Sequence, residues 1–397
     1  MITAPAGYRF ATARAGFRPA SQAGRDDVAL VISDAPAVAA AMFTTNQFPA
    51  APVIVARALL ARRAEARAVL INAGLANASS GDQGIADCRA TQTMLASLAG
   101  LAPEDVLPAS TGVIGPRFDM GKWERVMPVL VEGLGGGSPE TFTRSIMTTD
   151  AFPKMADLEV PLSGGGVRLT GMAKGAGMIC PNMATMLCVV LCDADVEVPA
   201  WTGLLRAAVA RTFNRVTVDG DTSTNDTVYA LANGRAGVAA RTPADLAALG
   251  AGLEDVLGRL AYMLVQDGEG SSKVAHITVK GAASDADAEQ VARTVGNSPL
   301  VKTALYGRDP NWGRIVMAIG RSGVKLAPEK VRVSLCGVEL FRDNQPVALD
   351  VDAVFTDPLK ERDVPIDITL GGGPGSYTLL ASDLGHEYVD CNASYRS

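Results

Sequence analysis

The stretch Lys174-Gly175-Ala176-Gly177-Met178-Ile179-Cys180-Pro181-Asn182-Met183-Ala184-Thr185-Met186-Leu187 sets a loop relaxed by glycine and stopped by proline against the start of a buried strand. Gly175 and Gly177 permit backbone angles that other residues avoid, and Pro181 pushes Cys180 away from helix. From Thr185 to Cys192 the side chains are almost all apolar, the pattern of a strand covered on both faces. A hydroxyl is thus fixed where a loop meets rigid core. Thr185 can be read as a strand cap, or as a nucleophile, first toward the peptide bond between Ala184 and Thr185 and then, as a new chain start, toward a substrate. A lone hydroxyl has no chemistry without an activator, so spacing alone favours the cap.

Working outward, residues 28–34 and 38–43 read as two strands joined by a short Pro-containing turn, with a third strand at 68–72. Asn72 to Gly81 is a small-residue loop feeding a helix over about 84–99. Helices are also predicted over 119–134, from the Ser138-Pro139 cap onward, and over 202–213. Thr242 and Pro243 open a long helix reaching about Gln266. Strands at 274–280, 332–340 and 364–370 and a helix at 286–295 complete a mixed α/β pattern with many strands.

With 397 residues the chain allows two or three domains and a sizeable core. A net charge of −6 with no basic stripe argues against nucleic acid as a partner, while leaving room for small anions near Lys174. No apolar run approaches a membrane span and none resembles a signal peptide, so the sequence predicts a cytoplasmic protein. Its six cysteines are scattered in apolar stretches, as buried thiols are, and no zinc-ligand spacing accompanies them. Asp219, Asp221, Ser223 and Asn225 alternate like a calcium loop, but Thr224 and Ala230 stand where that loop needs Gly and Glu. No metal is predicted.

Several strings join the central stretch in a resemblance that spans nearly the whole chain. They are Ser110-Thr111-Gly112, Met147-Thr148-Thr149-Asp150-Ala151-Phe152-Pro153-Lys154, Asp219-Gly220-Asp221-Thr222-Ser223-Thr224-Asn225-Asp226, Asp267-Gly268-Glu269-Gly270, Gly307-Arg308-Asp309-Pro310-Asn311-Trp312-Gly313-Arg314 and the terminal Asn392 to Ser397. Together they resemble the glutamate N-acetyltransferase/ornithine acetyltransferase family of arginine biosynthesis, whose precursors cut themselves before a threonine. The chain departs from the family at Ala151, usually Thr, and at Ser79, often Cys.

The resemblance implies an α/β fold, a layered α-β-β-α sandwich of the ornithine acetyltransferase/DmpA type with a smaller C-terminal α/β region over about 280–397. It implies scission into an alpha chain, 1–184, and a beta chain, 185–397, assembled as a heterotetramer of two of each. Thr185 would be the catalytic nucleophile, Thr111 and Gly112 the oxyanion donors, and Thr148, Lys174, Glu269, Asn392 and Ser397 the substrate contacts. The implied reaction moves acetyl from N2-acetyl-L-ornithine to L-glutamate by a ping-pong route through acetyl-Thr185. No cofactor is implied; acetyl-CoA is an open co-substrate, since some family members use it. The DGDTSTND string reads as a buried polar loop supporting the site, and the GRDPNWGR string receives no catalytic role.

The residues themselves constrain the chemistry. His276 and His386 are the only imidazoles, and neither sits in a matching motif. Scission would supply the missing base, because a free α-amino group has a reference pKa of roughly 7.7 to 8.0 and can take the hydroxyl proton. Two alternatives stay open from sequence: a self-processing amidohydrolase or aminopeptidase of related fold, in which water replaces glutamate, and a non-catalytic binding protein that never cuts.

Overall fold

The computed structural model describes residues 2–19, 22–180 and 186–394. Two sheets dominate. The larger has eight strands, in the order Val106–Val113, Glu65–Leu75, Val28–Phe43, Thr227–Ala232, Leu187–Cys192, Gly165–Lys174, Lys154–Leu162, with Tyr8–Ala13 paired to Val28–Phe43. Residues 28–43 form one strand of 16 residues, not two strands around a turn. Its register against Glu65–Leu75 shifts between Ile32 and Ala37, an irregularity that accommodates Pro36 without ending the strand.

That long strand belongs to both halves of the sheet, and the sheet folds over an inner core. Ala29, Val31, Val69, Ile71 and Leu107 from one half meet Leu187, Val189, Leu191, Tyr229 and Leu231 from the other. On the outer face of the first half, Leu30, Leu70 and Val106 pack on the helices Gly81–Ala99 and Met120–Glu132. On the outer face of the second, Cys188, Val190 and Cys192 pack on Val198–Arg211 and Pro243–Gln266. The layers are α-β-β-α. Every residue of Leu187–Cys192 is buried, and alternate side chains enter different cores, which explains the uninterrupted apolar run.

The second sheet runs Gln345–Pro346, Val338–Arg342, Arg332–Leu335, Asp363–Thr369, Val274–Ala282, Gly375–Ser382, Val216–Thr217. One face packs on helices Asp285–Gly296, Pro299–Tyr306 and Trp312–Gly320. Buried and exposed residues alternate along Asp363–Thr369, so its other face there is polar. The two-residue strand Val216–Thr217 pairs with Gly375–Ser382 and ties this α/β region to the larger body. Trp312 stacks on Phe341 at 5.5 Å, and Asn311 caps the Trp312–Gly320 helix, a structural use of the GRDPNWGR string.

Among the described residues no helix is long and apolar enough to cross a membrane, and all six cysteines are free thiols. Local signals set several boundaries. Thr242 accepts the Asp245 N–H and Pro243 opens the helix that ends at Gln266. The helix expected from 202 begins earlier, at Val198, because proline fits its first turn.

The Tyr229 hydroxyl donates to the Pro108 carbonyl at 2.7 Å, joining the two halves across the inner core. Tyr229→Phe is expected to lower unfolding stability by about 1 kcal/mol, seen as a lower urea midpoint at unchanged slope. An unmoved midpoint would show that this bond does not tie the halves.

Candidate active site

At one end of the inner core, strand ends and loops enclose a polar cavity of about 200 Å³, lined by Thr111, Gly112, Thr148, Lys174, Glu269 and Asn392 among others. These six residues come from five sequence motifs far apart in the chain. The volume falls below the roughly 300 to 1,000 Å³ of sites for drug-sized ligands and suits a small metabolite. Of the other residues singled out in the sequence, Ala184, Thr185 and Ser397 lie outside the described residues.

Thr111 and Gly112 end the strand Val106–Val113. Gly112 has φ +130, and a Cβ there would lie 2.2 Å from the Gly74 backbone, so the neighbouring strand admits only glycine. Behind them, the Asn225 side chain donates to the carbonyls of Ser110 at 2.8 Å and Ala76 at 2.7 Å. Of the string 219–226, read from sequence as a buried polar loop, Ser223, Thr224, Asn225 and Asp226 are buried, whereas Gly220 and Asp221 are exposed and Asp219 and Thr222 half-buried. Lys174, the last residue of Gly165–Lys174, donates from Nζ to Thr111 Oγ1 at 2.9 Å. With that oxygen accepting from lysine, the threonine proton is free to point at a ligand.

Lys174 belongs to a buried charge cluster. Burial pushes its ammonium below the usual lysine range, and Asp150 opposes that shift. Lys154 Nζ donates to Asp150 Oδ1 at 2.7 Å and also to Asp267, with the ammonium and the Asp150 carboxylate fully buried. Asp150 Oδ1 further accepts the Gly175 N–H at 2.6 Å, and Oδ2 the Thr148 N–H at 2.9 Å. Burial alone would push the Asp150 carboxyl up; Lys154, Lys174 and the Gly175 N–H together hold it well below the usual carboxylate range. Asp267 is raised by burial, against the pull of Lys154. Asp267 also accepts the Ala151 N–H at 3.1 Å, so position 151 meets this cluster through its backbone.

Glu269 lines the same cavity. Its Oε2 accepts from Asn392 Nδ2 at 2.7 Å, and its carboxyl packs so close to Gly177 that a Cβ there would lie 2.5 Å away. Asn392 and Tyr388 share a face of the C-terminal helix His386–Ser394, being four residues apart. The Tyr388 hydroxyl donates to Asp219 at 3.4 Å, and Asp219 accepts the N–H of Met178, a residue with φ +57. Bridges to Val218 and Thr222 hold Ile179 in the same place.

Sequence reading missed Asp150, Lys154 and Asp267 as one device, and missed Tyr388 and Asp219. An Asp and a Lys four apart within a matched string was the available signal for the first pair. Neither histidine lines the cavity: His276 pairs with Asp363 at 2.7 Å, and His386 packs edge-on against Tyr306. Among the described residues no group of three or more His, Cys, Asp or Glu could hold a metal ion.

A hydroxyl, a glycine at a strand end and an ammonium gathered about one point meet what a tetrahedral acyl intermediate demands. The class is that of the acyl-transfer enzymes with this layered fold. The sequence model of the ArgJ family matches residues 9–397. Over 397 residues, the whole of both chains, the protein is 60% identical to the arginine biosynthesis bifunctional protein ArgJ of Nitratidesulfovibrio vulgaris. Over 414 residues it is 42% identical to the ArgJ protein of Thermosynechococcus vestitus, covering 99% of this chain and 97% of the relative. A crystal structure of the ArgJ protein from Bacillus halodurans aligns at 39% identity and a TM-score of 0.49, covering 51% of this chain and 96% of that one. The chain belongs to the ArgJ family. As an acyltransferase of that family it is an enzyme, and the non-catalytic alternative falls.

Lys154→Met would leave two buried carboxylates without their cation and is expected to cost about 3 to 5 kcal/mol of unfolding free energy, measured by denaturant titration. Asp150, held low in the folded state, contributes stability that is present above its unfolded pKa of about 3.9 and is lost as pH falls below it. Asp150→Asn should therefore flatten the decline in stability below about pH 4; an unchanged acid profile would remove Asp150 as its source.

Proposed function

We propose that the protein transfers acetyl from N2-acetyl-L-ornithine to L-glutamate by a ping-pong route through an acetyl-Thr185 intermediate, in arginine biosynthesis. One observation carries the proposal: a single cavity is lined both by Thr111, Gly112 and Lys174, groups that stabilise an anion, and by Glu269 and Asn392, groups that accept an amine. In sequence Thr185 lies two residues before Leu187, the first residue of the strand Leu187–Cys192, which pairs with Lys174.

Scission comes first. The Thr185 hydroxyl attacks the Ala184 carbonyl, the peptide nitrogen departs as the new α-amino group, and water hydrolyses the resulting ester. The products are chains 1–184 and 185–397, which we take to assemble as a heterotetramer of two of each. That freed amine then takes the hydroxyl proton as Thr185 attacks the acetyl carbonyl. Thr111 Oγ1–H and the Gly112 N–H stabilise the oxyanion, helped by the nearby Lys174 charge. Lys174 receives the substrate carboxylate, Glu269 and Asn392 the side-chain amine, and Thr148 and Ser397 complete the contacts. Ornithine leaves and glutamate accepts the acetyl group. The reaction needs no cofactor. Acetyl-CoA is a further acetyl donor to be tested in the same assay, and a cytoplasmic location agrees with such substrates.

On a denaturing gel the purified protein should resolve into two chains and Thr185→Ala should stay whole, with acetyl transfer to glutamate lost. Release of free acetate at the same rate without glutamate would instead make the enzyme a hydrolase. Glu269→Gln should raise KM for acetylornithine by about tenfold, since it removes the charged partner of the amine; an unchanged KM would take Glu269 out of the amine site.

A further inference from the structure

The α/β region holds a buried ammonium that the reaction above does not use. Lys302, in the helix Pro299–Tyr306, is only 4% exposed and is not among the residues that line the cavity. Its Nζ donates to the Ser382 carbonyl and, at 3.2 Å, to Ser382 Oγ. Its own carbonyl accepts the Leu384 N–H at 3.3 Å. One lysine thus grips residues 382–384 with both side chain and backbone. An ammonium taken out of water is costly, so its place here calls for a use.

The gripped segment supports the cavity. Ser382 ends the strand Gly375–Ser382, whose ladder with Val216–Thr217 stops at Ala381 and Thr217. Beyond that point the Ser382 hydroxyl donates to the Val218 carbonyl at 3.3 Å, so a side chain extends the pairing by one residue. Because Ser382 Oγ accepts from Lys302, its single proton is left to Val218. Val218 leads straight into Asp219, which lines the cavity and accepts the Met178 N–H at 2.5 Å. The Asp383 carboxyl, next in the gripped segment, accepts the N–H groups of Ser272 at 2.8 Å and Lys273 at 3.1 Å, on the stretch that follows Glu269. Just beyond Leu384 begins the helix His386–Ser394, which carries Tyr388 and Asn392.

We propose that Lys302 is the positioning residue for the amine end of the cavity: by fixing residues 382–384 from behind, it holds Asp219 and Glu269 where they receive the cationic side chain of the acetyl donor. This rests on the acetylornithine reading above. Burial pushes the Lys302 ammonium down to about 8, with Asp383, Asp219 and Cys180 pulling the other way, so it stays charged at neutral pH. A protonated lysine has no lone pair and can only donate to Ser382, which keeps the serine proton on Val218. Its charge also favours the ionised form of Asp219, a carboxyl that burial pushes up. Thr111, Gly112 and Lys174 lie on strands of the larger sheet and do not hang from this segment. Lys302 therefore acts on binding of the amine and not on the acyl step.

Ser382→Ala removes the bridge to Val218 and leaves Lys302 in place. It should raise KM for N2-acetyl-L-ornithine about tenfold with kcat kept within about twofold, the mark of lost uniform binding. Lys302→Met should do at least as much. A Ser382→Ala enzyme with the wild-type KM, or one that loses kcat at unchanged KM, overturns the proposal. Because Lys302→Met can fail to fold, the deciding measurement is a cycle that combines Ser382→Ala with Asp219→Asn. If the bridge acts through Asp219, adding Ser382→Ala to Asp219→Asn raises KM by less than about twofold further, whereas a full further rise of about tenfold shows independent effects and overturns it. A wild type that transfers no acetyl from N2-acetyl-L-ornithine defeats the reading above and this proposal with it; a wild type that does, with flat Ser382→Ala kinetics, defeats Lys302 alone.

Discussion

Lys154, wholly buried between Asp150 and Asp267, is the contact on which the site's geometry depends. It joins the start of the strand Lys154–Leu162, the turn after the helix Pro139–Ile146, and the C-terminal end of Pro243–Gln266. An ammonium with no exposure is tolerable only if carboxylates and hydrogen bonds replace its water, and the two aspartates do so. Through Asp150 the cluster reaches the N–H groups of Thr148 and Gly175, and through Asp267 that of Ala151. One buried charge thus fixes the backbone beside the cavity-lining residues Thr148 and Lys174.

That rigidity serves the chemistry. Oxyanion donors work only when aimed in advance at the point where charge develops. Here the aim is set by two-sided packing: the inner core holds Glu65–Leu75 and Leu187–Cys192, and their neighbours Val106–Val113 and Gly165–Lys174 carry Thr111 and Lys174 to hydrogen-bonding distance. The wall with Glu269 and Asn392 is built differently. Glu269 follows a helix end and Asn392 comes from the last helix, which meets it only because Gly177 and Gly270 leave room for close approach. One wall is a sheet edge and the other is assembled from loop and chain end.

Much of this was legible in the residues. Thr242 and Pro243 marked a helix start because capping is local chemistry, and the run before Cys192 announced a strand buried on both faces because its neighbours are apolar in every direction. Thr111, Gly112, Thr148, Lys174, Glu269 and Asn392 were picked out in five separate strings and do line one cavity. The bend in Val28–Phe43 was misread as a turn, since Ser33-Asp34-Ala35-Pro36 carries turn chemistry that a folded-over sheet can absorb as a register shift. Asp150, Lys154 and Asp267 went unrecognised as a unit because their partnership spans more than a hundred residues.

By itself, then, the sequence determined the local elements, the buried character of the central strand and the set of polar residues from which a site could be made, because propensity, capping and periodicity act over a few residues. Only the tertiary structure decided which of those residues come together, which lysine lines the cavity and which is sealed beneath it. Those outcomes depend on how two half-sheets close over a shared core, and no stretch of chain encodes that closure alone.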